Sequence, residues 1–221
     1  IFKELHISLP KSLEEDLDLC RQATNLGSLI QPQTPLETLE AIHDKLTSAI
    51  ESSDLFIRSN IQELQRAISH LISLQKKYHC TVANPPYMGG GKMNAELSKF
   101  VKSKYPISKA DLFSCFIERS LSFIPQNGLN GLVTMESWMF LSSFEALRKK
   151  IIENTCIQSL THFGWHIMRI AFGTVTFILE KRRPDDKFRG TYSYMEIDNI
   201  NRETERPIHF PVKDNGRFKI A

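Results

Sequence analysis

At 221 residues, with 41% hydrophobic and 24% charged residues, the chain has the make-up of an ordinary folded protein, which excludes disordered, collagen-like and coiled-coil classes. A net charge of +3 neither demands nor rules out a polyanionic partner, because clustering of Lys and Arg on one face decides that question. Charged residues interrupt every apolar run before the roughly 18 to 20 residues needed to cross a bilayer, so no membrane partner is expected.

After an irregular start, Leu36, Leu39, Ile42, Leu46 and Ile50 recur at helical spacing, with Pro35 where a first-turn proline is tolerated. A second helix runs from Leu55 through Ile61, Leu64, Ile68 and Leu71 to Lys76, and Ser52, Ser53 and Asp54 ahead of it supply N-cap chemistry. Residues 1–77 therefore read as a helical pair, an arm or insertion.

The period changes at residue 78. Residues 78–83 favour a strand that Pro85 and Pro86 stop, since proline cannot donate to a ladder. Residues 88–104, with Gly89, Gly90 and Gly91, read as an irregular, mobile loop. The triple glycine lacks the spacing of a phosphate-binding loop and the Ser or Thr that follows one.

Leu112, Phe113, Phe116, Ile117, Leu121 and Ile124 then form the stripe of an amphipathic helix over 110–124. Strands follow at 129–135, 157–163, 175–181 and 190–197, with a helix to residue 152 capped by Ser142 or Ser143. That rhythm is an α/β fold with a mostly parallel sheet covered on both faces. Residues 199–221 are polar and proline-interrupted and read as an irregular tail, leaving 78–198 as the chemical part.

Cys20, Cys80, Cys115 and Cys156 lie too far apart for the close pairs of a zinc site, and no stretch resembles a secretory leader. Reduced thiols in the cytoplasm are expected. His162 and His166 have no third ligand nearby, so no metal is expected. Glu136, just past a strand, suits a helix cap or a surface position better than a role in orienting a ligand.

The sharpest chemical signal is Asn84-Pro85-Pro86-Tyr87 at a strand's carboxyl end, where open α/β sheets bind ligands. The Asn84 side-chain oxygen and the Pro85 carbonyl are two acceptors with no competing donor between them. Consecutive prolines fix φ and hold each preceding residue extended, so the acceptors are placed before a ligand arrives. Such a pair suits a planar amine: accepting both amino protons localises a nitrogen lone pair otherwise lost to a ring. Tyr87 adds a flat face for stacking a base, a contact worth about 1 to 3 kcal/mol. The same residues would also make a plain strand-ending turn.

The run Tyr78-His79-Cys80-Thr81-Val82-Ala83-Asn84-Pro85-Pro86-Tyr87-Met88-Gly89 resembles the signature of adenine-specific DNA methyltransferases. The similarity is greatest to the BREX/Pgl (PglX-like) and Eco57I-type restriction-modification enzymes. Lys109-Ala110-Asp111-Leu112-Phe113 with Phe116-Ile117-Glu118-Arg119, the strand at 128–137, and Phe163-Gly164-Trp165-His166 with Ala171-Phe172-Gly173 resemble their later segments. Leu26-Gly27-Ser28-Leu29-Ile30 resembles a motif ahead of a helical insertion.

The resemblance implies a partial Rossmann-like S-adenosylmethionine-dependent methyltransferase fold with a helical N-terminal arm or insertion. It implies a catalytic set of Asn84, Pro85, Pro86 and Tyr87, with Asn84 also bordering the cofactor. Tyr87 and an aromatic before the late hairpin, Phe172 first and Phe163 second, would hold the base. Apart from the resemblance, Lys92, Lys99, Lys102 and Lys104 after the glycines would meet a DNA backbone or simply be solvated. Expected partners are double-stranded DNA with a flipped adenine, the rest of the parent polypeptide, and other subunits of the defence system.

One departure from the family matters: no Asp-Pro-x-x-Gly-x-Gly-like loop for S-adenosylmethionine precedes Asn84, and the chain opens on Ile1. An internal fragment, inactive alone, is the reading that follows. Two alternatives stand beside it, a methyltransferase for glutamine amides in proteins and a catalytically silent nucleic-acid-binding piece.

Overall fold

A computed structural model describes residues 9–52, 54–164, 170–195, 197–208 and 217–218. The chain divides into two compact units, Ile1–Lys77 and Tyr78–Ala221.

The first unit is helical: α1 (Lys11–Arg21), α2 (Ala23–Leu26), α3 (Leu36–Ser52) and α4 (Leu55–Gln75). The stripe of α3 buries Leu39, Ile42, Leu46 and Ala49, and α4 buries Ile61, Ile68 and Leu71. Asp54 takes the N-cap position of α4 without a side-chain cap bond, and Ser53 lies outside the described residues. Helix α1 corrects the expected irregular start. Its core-facing positions are shared by Leu13 and Asp16, both fully buried, so a carboxylate stands where the apolar period calls for a hydrophobe.

Asp16 has a structural task. Its carboxylate accepts the backbone N–H groups of Gln33 at 3.0 Å and Thr34 at 2.8 Å, fixing the chain just before α3. Asp16→Ala leaves these donors, that of Thr34 buried, unpaired, and hydrogen bonds to a charged group are worth about 1.5 to 3 kcal/mol. Urea unfolding of Asp16→Ala should show a loss of about 3 kcal/mol, and an unchanged midpoint would contradict this assignment.

The second unit is mixed α/β: β1 (Cys80–Ala83), α5 (Ala95–Lys104), α6 (Leu112–Phe123), β2 (Leu129–Met135), α7 (Glu145–Asn154), β3 (Cys156–Gly164), β4 (Thr174–Glu180) and β5 (Gly190–Tyr194). Two-residue strands β6 (Ile200–Asn201), β7 (Arg206–Pro207) and β8 (Arg217–Phe218) add a small ladder and an edge pairing to the stretch read as irregular. The main sheet runs β1-β2-β4-β3-β5-β8.

Strands β1 and β2 are parallel, as are β3 and β5, but β4 lies antiparallel between β2 and β3. The expectation of a mostly parallel sheet is thus corrected to a mixed one. The link from Gly164 to Thr174 is too short for the crossover a parallel return needs, so β4 comes back beside β3 in the opposite sense.

The two crossover helices lie on the same face of the sheet. Side chains of α6 (Phe113, Ile117, Leu121) and α7 (Leu147, Ile151) share one cluster with Leu132 and Phe177 of the sheet. Steps from β1 to β2 and onward to β3 move the same way across the sheet, and right-handed crossovers then put both helices on one side. On the opposite face Val82 is 82% exposed.

Helix α5 replaces most of the expected loop over 88–104. Asn94 caps it, accepting the Leu97 N–H at 2.9 Å, and Leu97 and Val101 give it one buried turn-to-turn contact. Four lysines in the segment mask so short an apolar signal. Helix α7 starts from a 3-10 turn, Ser142–Phe144, with no side-chain cap, so the expected serine N-cap is not formed. No helix among the described residues is long and apolar enough to cross a membrane.

Candidate active site

Strand β1 ends at Ala83, and the next four residues turn at the carboxyl edge of the sheet. Asn84 and Pro86 are exposed, Pro85 is buried and Tyr87 is partly buried. A buried polar chain holds the strand upstream of the turn: Thr81 Oγ1 donates to Asn130 Oδ1 at 3.0 Å, and Asn130 Nδ2 donates to Ser120 Oγ at 3.0 Å, linking β1, β2 and α6.

Tyr87 is fixed at both ends. Its hydroxyl donates to Asn84 Oδ1 at 2.9 Å and lies 3.4 Å from the Val133 carbonyl. The ring packs edge-on against Phe113, with centroids 6.2 Å apart, and against Phe172, 5.6 Å apart. Burial raises the pKa of the hydroxyl, so it stays protonated and remains a donor near neutral pH. Asn84 Oδ1 has a second lone pair beyond the one Tyr87 uses.

Asp111 staples the turn to α6, a role the sequence reading did not give it. Its Oδ1 accepts the Met88 N–H at 2.9 Å and, as N-cap of α6, the Phe113 N–H at 3.2 Å. The signal was available, an Asp directly ahead of an amphipathic stripe. Desolvation pushes this carboxyl above its ordinary value, opposed by the N–H groups of Met88, Phe113 and Leu112 and by the Lys92 charge.

A carboxyl whose pKa is higher folded than unfolded contributes stability at low pH and loses it as pH rises through the folded value. The native protein should therefore gain on Asp111→Asn as pH is lowered from 7 toward the ordinary carboxyl value of 3.8. Denaturation midpoints of both proteins across that range test this, and a native advantage that grows with rising pH would contradict it.

The remaining sites predicted from sequence are not all brought together. Lys92 is exposed in a 3-10 turn, Gly90–Lys92, near enough to act on Asp111. Phe172 meets Tyr87, whereas Phe163 packs with Met195 and Ile200 in a separate cluster. Phe163 is thus not placed against the Tyr87 ring, because its strand position turns it away from the helix-covered face that Leu160 shares.

A family model described as Eco57I restriction-modification methylase matches residues 12–167, which include Asn84 through Tyr87. The chain belongs to the Eco57I restriction-modification methylase family. Adenine-specific methyltransferase BrxX of Escherichia coli O9:H4 (strain HS) is 40% identical over 75% of this chain. Adenine-specific methyltransferase PglX of Lacticaseibacillus casei (strain Zhang) is 36% identical over 76% of it. The chain spans 14% of the length of each of these relatives. Among solved structures, the ATP-dependent Type ISP restriction-modification enzyme LlaBIII bound to DNA overlays with a TM-score of 0.42 at 17% identity, covering 59% of this chain and 11% of that one.

In this Eco57I-family chain the match stops short of Phe172. Glu136 corrects the surface or cap role expected for it: its side chain is only 20% exposed and its Oε2 lies 2.5 Å from His162 Nε2. Among the described residues no group of His, Cys, Asp and Glu is arranged to hold a metal ion, and His166 lies outside those residues.

Proposed function

We propose that the complete polypeptide methylates the exocyclic amino group of adenine in duplex DNA, as part of a restriction-modification or phage-defence system of the cytoplasm. The observation that carries this reading is the exposed Asn84 at a strand's carboxyl end, oriented by the Tyr87 hydroxyl through its 2.9 Å bond. The free lone pair of Asn84 Oδ1 accepts one amino proton of an extruded base, and the Pro85 carbonyl accepts the other. Tyr87 stacks on the base, and Phe172 limits how far the ring can slide. Lys92, exposed nearby, meets the phosphate backbone.

S-adenosylmethionine supplies an electrophilic methyl group when bound. Asn84 is the residue of this chain we assign to its border. The sequence ahead of Asn84 holds no glycine-rich loop, and the chain spans 14% of its relatives' length. The main cofactor loop is therefore assigned to another part of the complete polypeptide. Residues 1–77 act as an arm or insertion, 78–198 as the base-binding part of the methyltransferase domain, and 199–221 as a connection onward.

Labelled methyl transfer by the complete polypeptide, offered duplex DNA and a glutamine-bearing protein together, tests this reading. Label is expected in DNA, and label in protein alone would overturn it in favour of amide methylation. Calorimetry on the 221 residues alone is expected to show no S-adenosylmethionine binding at micromolar concentration, and binding at that level would refute the division of the cofactor site.

A further inference from the structure

Glu136 lies just past β2 and His162 near the end of β3, and the start of β4 runs between them. Met135 and Gly164 both pair with Thr174, the first residue of β4, from opposite sides. The Glu136 carboxylate reaches His162 by crossing directly over Gly173. A Cβ on Gly173 would overlap that carboxylate, so glycine is the residue this crossing permits.

Each member of the pair is held independently. Glu136 donates its backbone N–H to the Gly173 carbonyl at 2.9 Å. His162 Nδ1 accepts the Gly164 N–H at 3.1 Å, and Nε2 stands 2.5 Å from Glu136 Oε2. The Gly164 N–H reaches the ring because β3 breaks register between His162 and Gly164, and Gly164 takes a φ of +67°, a bulge that re-aims the side chain. The imidazole also stacks on Tyr194, with centroids 5.1 Å apart and planes 15° from parallel.

We propose that Glu136 and His162 are positioning residues that clasp the first residue before β4 and thereby set Phe172 against Tyr87. Phe172 immediately precedes the clasped Gly173, and its ring stands 5.6 Å from that of Tyr87 at 74°. With Gly173 tied to β2 through the Glu136 backbone and covered by a carboxylate anchored on β3, the chain has one direction in which to leave the sheet. That direction fixes how closely the Phe172 ring approaches Tyr87. The role in base binding rests on the adenine reading above, whereas the placement of Phe172 does not.

Two measurements separate these parts. With fluorotyrosine at Tyr87, the fluorine resonance reports the approach of the Phe172 ring without any substrate. Glu136→Ala, His162→Ala and Gly173→Ala are expected to move that resonance to the position seen in Phe172→Ala, while Glu136→Gln, which keeps an oxygen beside His162 Nε2, holds it near the native position. A resonance unmoved by all three disrupting variants overturns the clasp. Should the fold not survive His162→Ala, Glu136→Ala against Glu136→Gln still decides the matter.

In the complete polypeptide the same variants are expected to raise KM for DNA by up to about 100-fold, the scale of a displaced binding group, with kcat less affected and Glu136→Gln restoring most of the loss. A moved resonance with unchanged KM would overturn the positioning role for DNA and leave the clasp standing. Absent methylation by the native protein would count against the adenine reading alone.

Discussion

Asn84→Ala lowers the methylation rate of the complete polypeptide by about 100- to 1,000-fold, the loss expected when one group of a preorganised electrostatic pair is removed. Asn84 is exposed, so folding stability should stay within about 0.5 kcal/mol of native. The loss belongs in kcat more than in KM, because gripping both amino protons matters most as the nitrogen lone pair turns toward the methyl group. Asn84→Asp, which keeps an acceptor oxygen in the same place, should retain more activity than Asn84→Ala. Rates from single-turnover labelling check this, and equal activity in native and Asn84→Ala proteins would contradict it.

Phe113→Ala costs about 3 to 5 kcal/mol of stability, as large-to-small changes at fully buried aromatics do. Phe113 is 0% exposed, packs against Phe144 with ring centroids 5.6 Å apart, and supports the Tyr87 ring from beneath the turn. The cavity therefore opens directly under Tyr87, and stacking of a base on that ring should weaken along with the fold. Urea denaturation read by circular dichroism measures the loss, and a value below about 1 kcal/mol would show that the core closes over the gap.

What could be read from sequence was local. Strand β1 was legible because two prolines stop it, and α6 because six apolar residues from Leu112 to Ile124 keep one stripe. Helix α1 was not, because buried Asp16 breaks the period for a reason visible only when the N–H groups of Gln33 and Thr34 are seen to point at it. Helix α5 was hidden by its lysines, with Leu97 and Val101 as its buried pair.

Topology was the larger gap. The antiparallel placement of β4 depends on which strands pair, and pairing is not a property of any one segment. The same limit concealed the contact between Glu136 and His162, which are far apart in sequence and meet only because β4 enters between their strands. It also hid where two aromatic residues that looked alike in sequence would pack, Phe172 against Tyr87 and Phe163 with Met195 and Ile200.

Whether the turn after β1 grips a planar amine can be seen in a structure of the complete polypeptide with duplex DNA and an unreactive cofactor analogue. An extruded adenine is expected to stack on Tyr87, its amino nitrogen within hydrogen-bonding distance of both Asn84 Oδ1 and the Pro85 carbonyl. An adenine bound elsewhere, or an amino group facing away from those two oxygens, would contradict it.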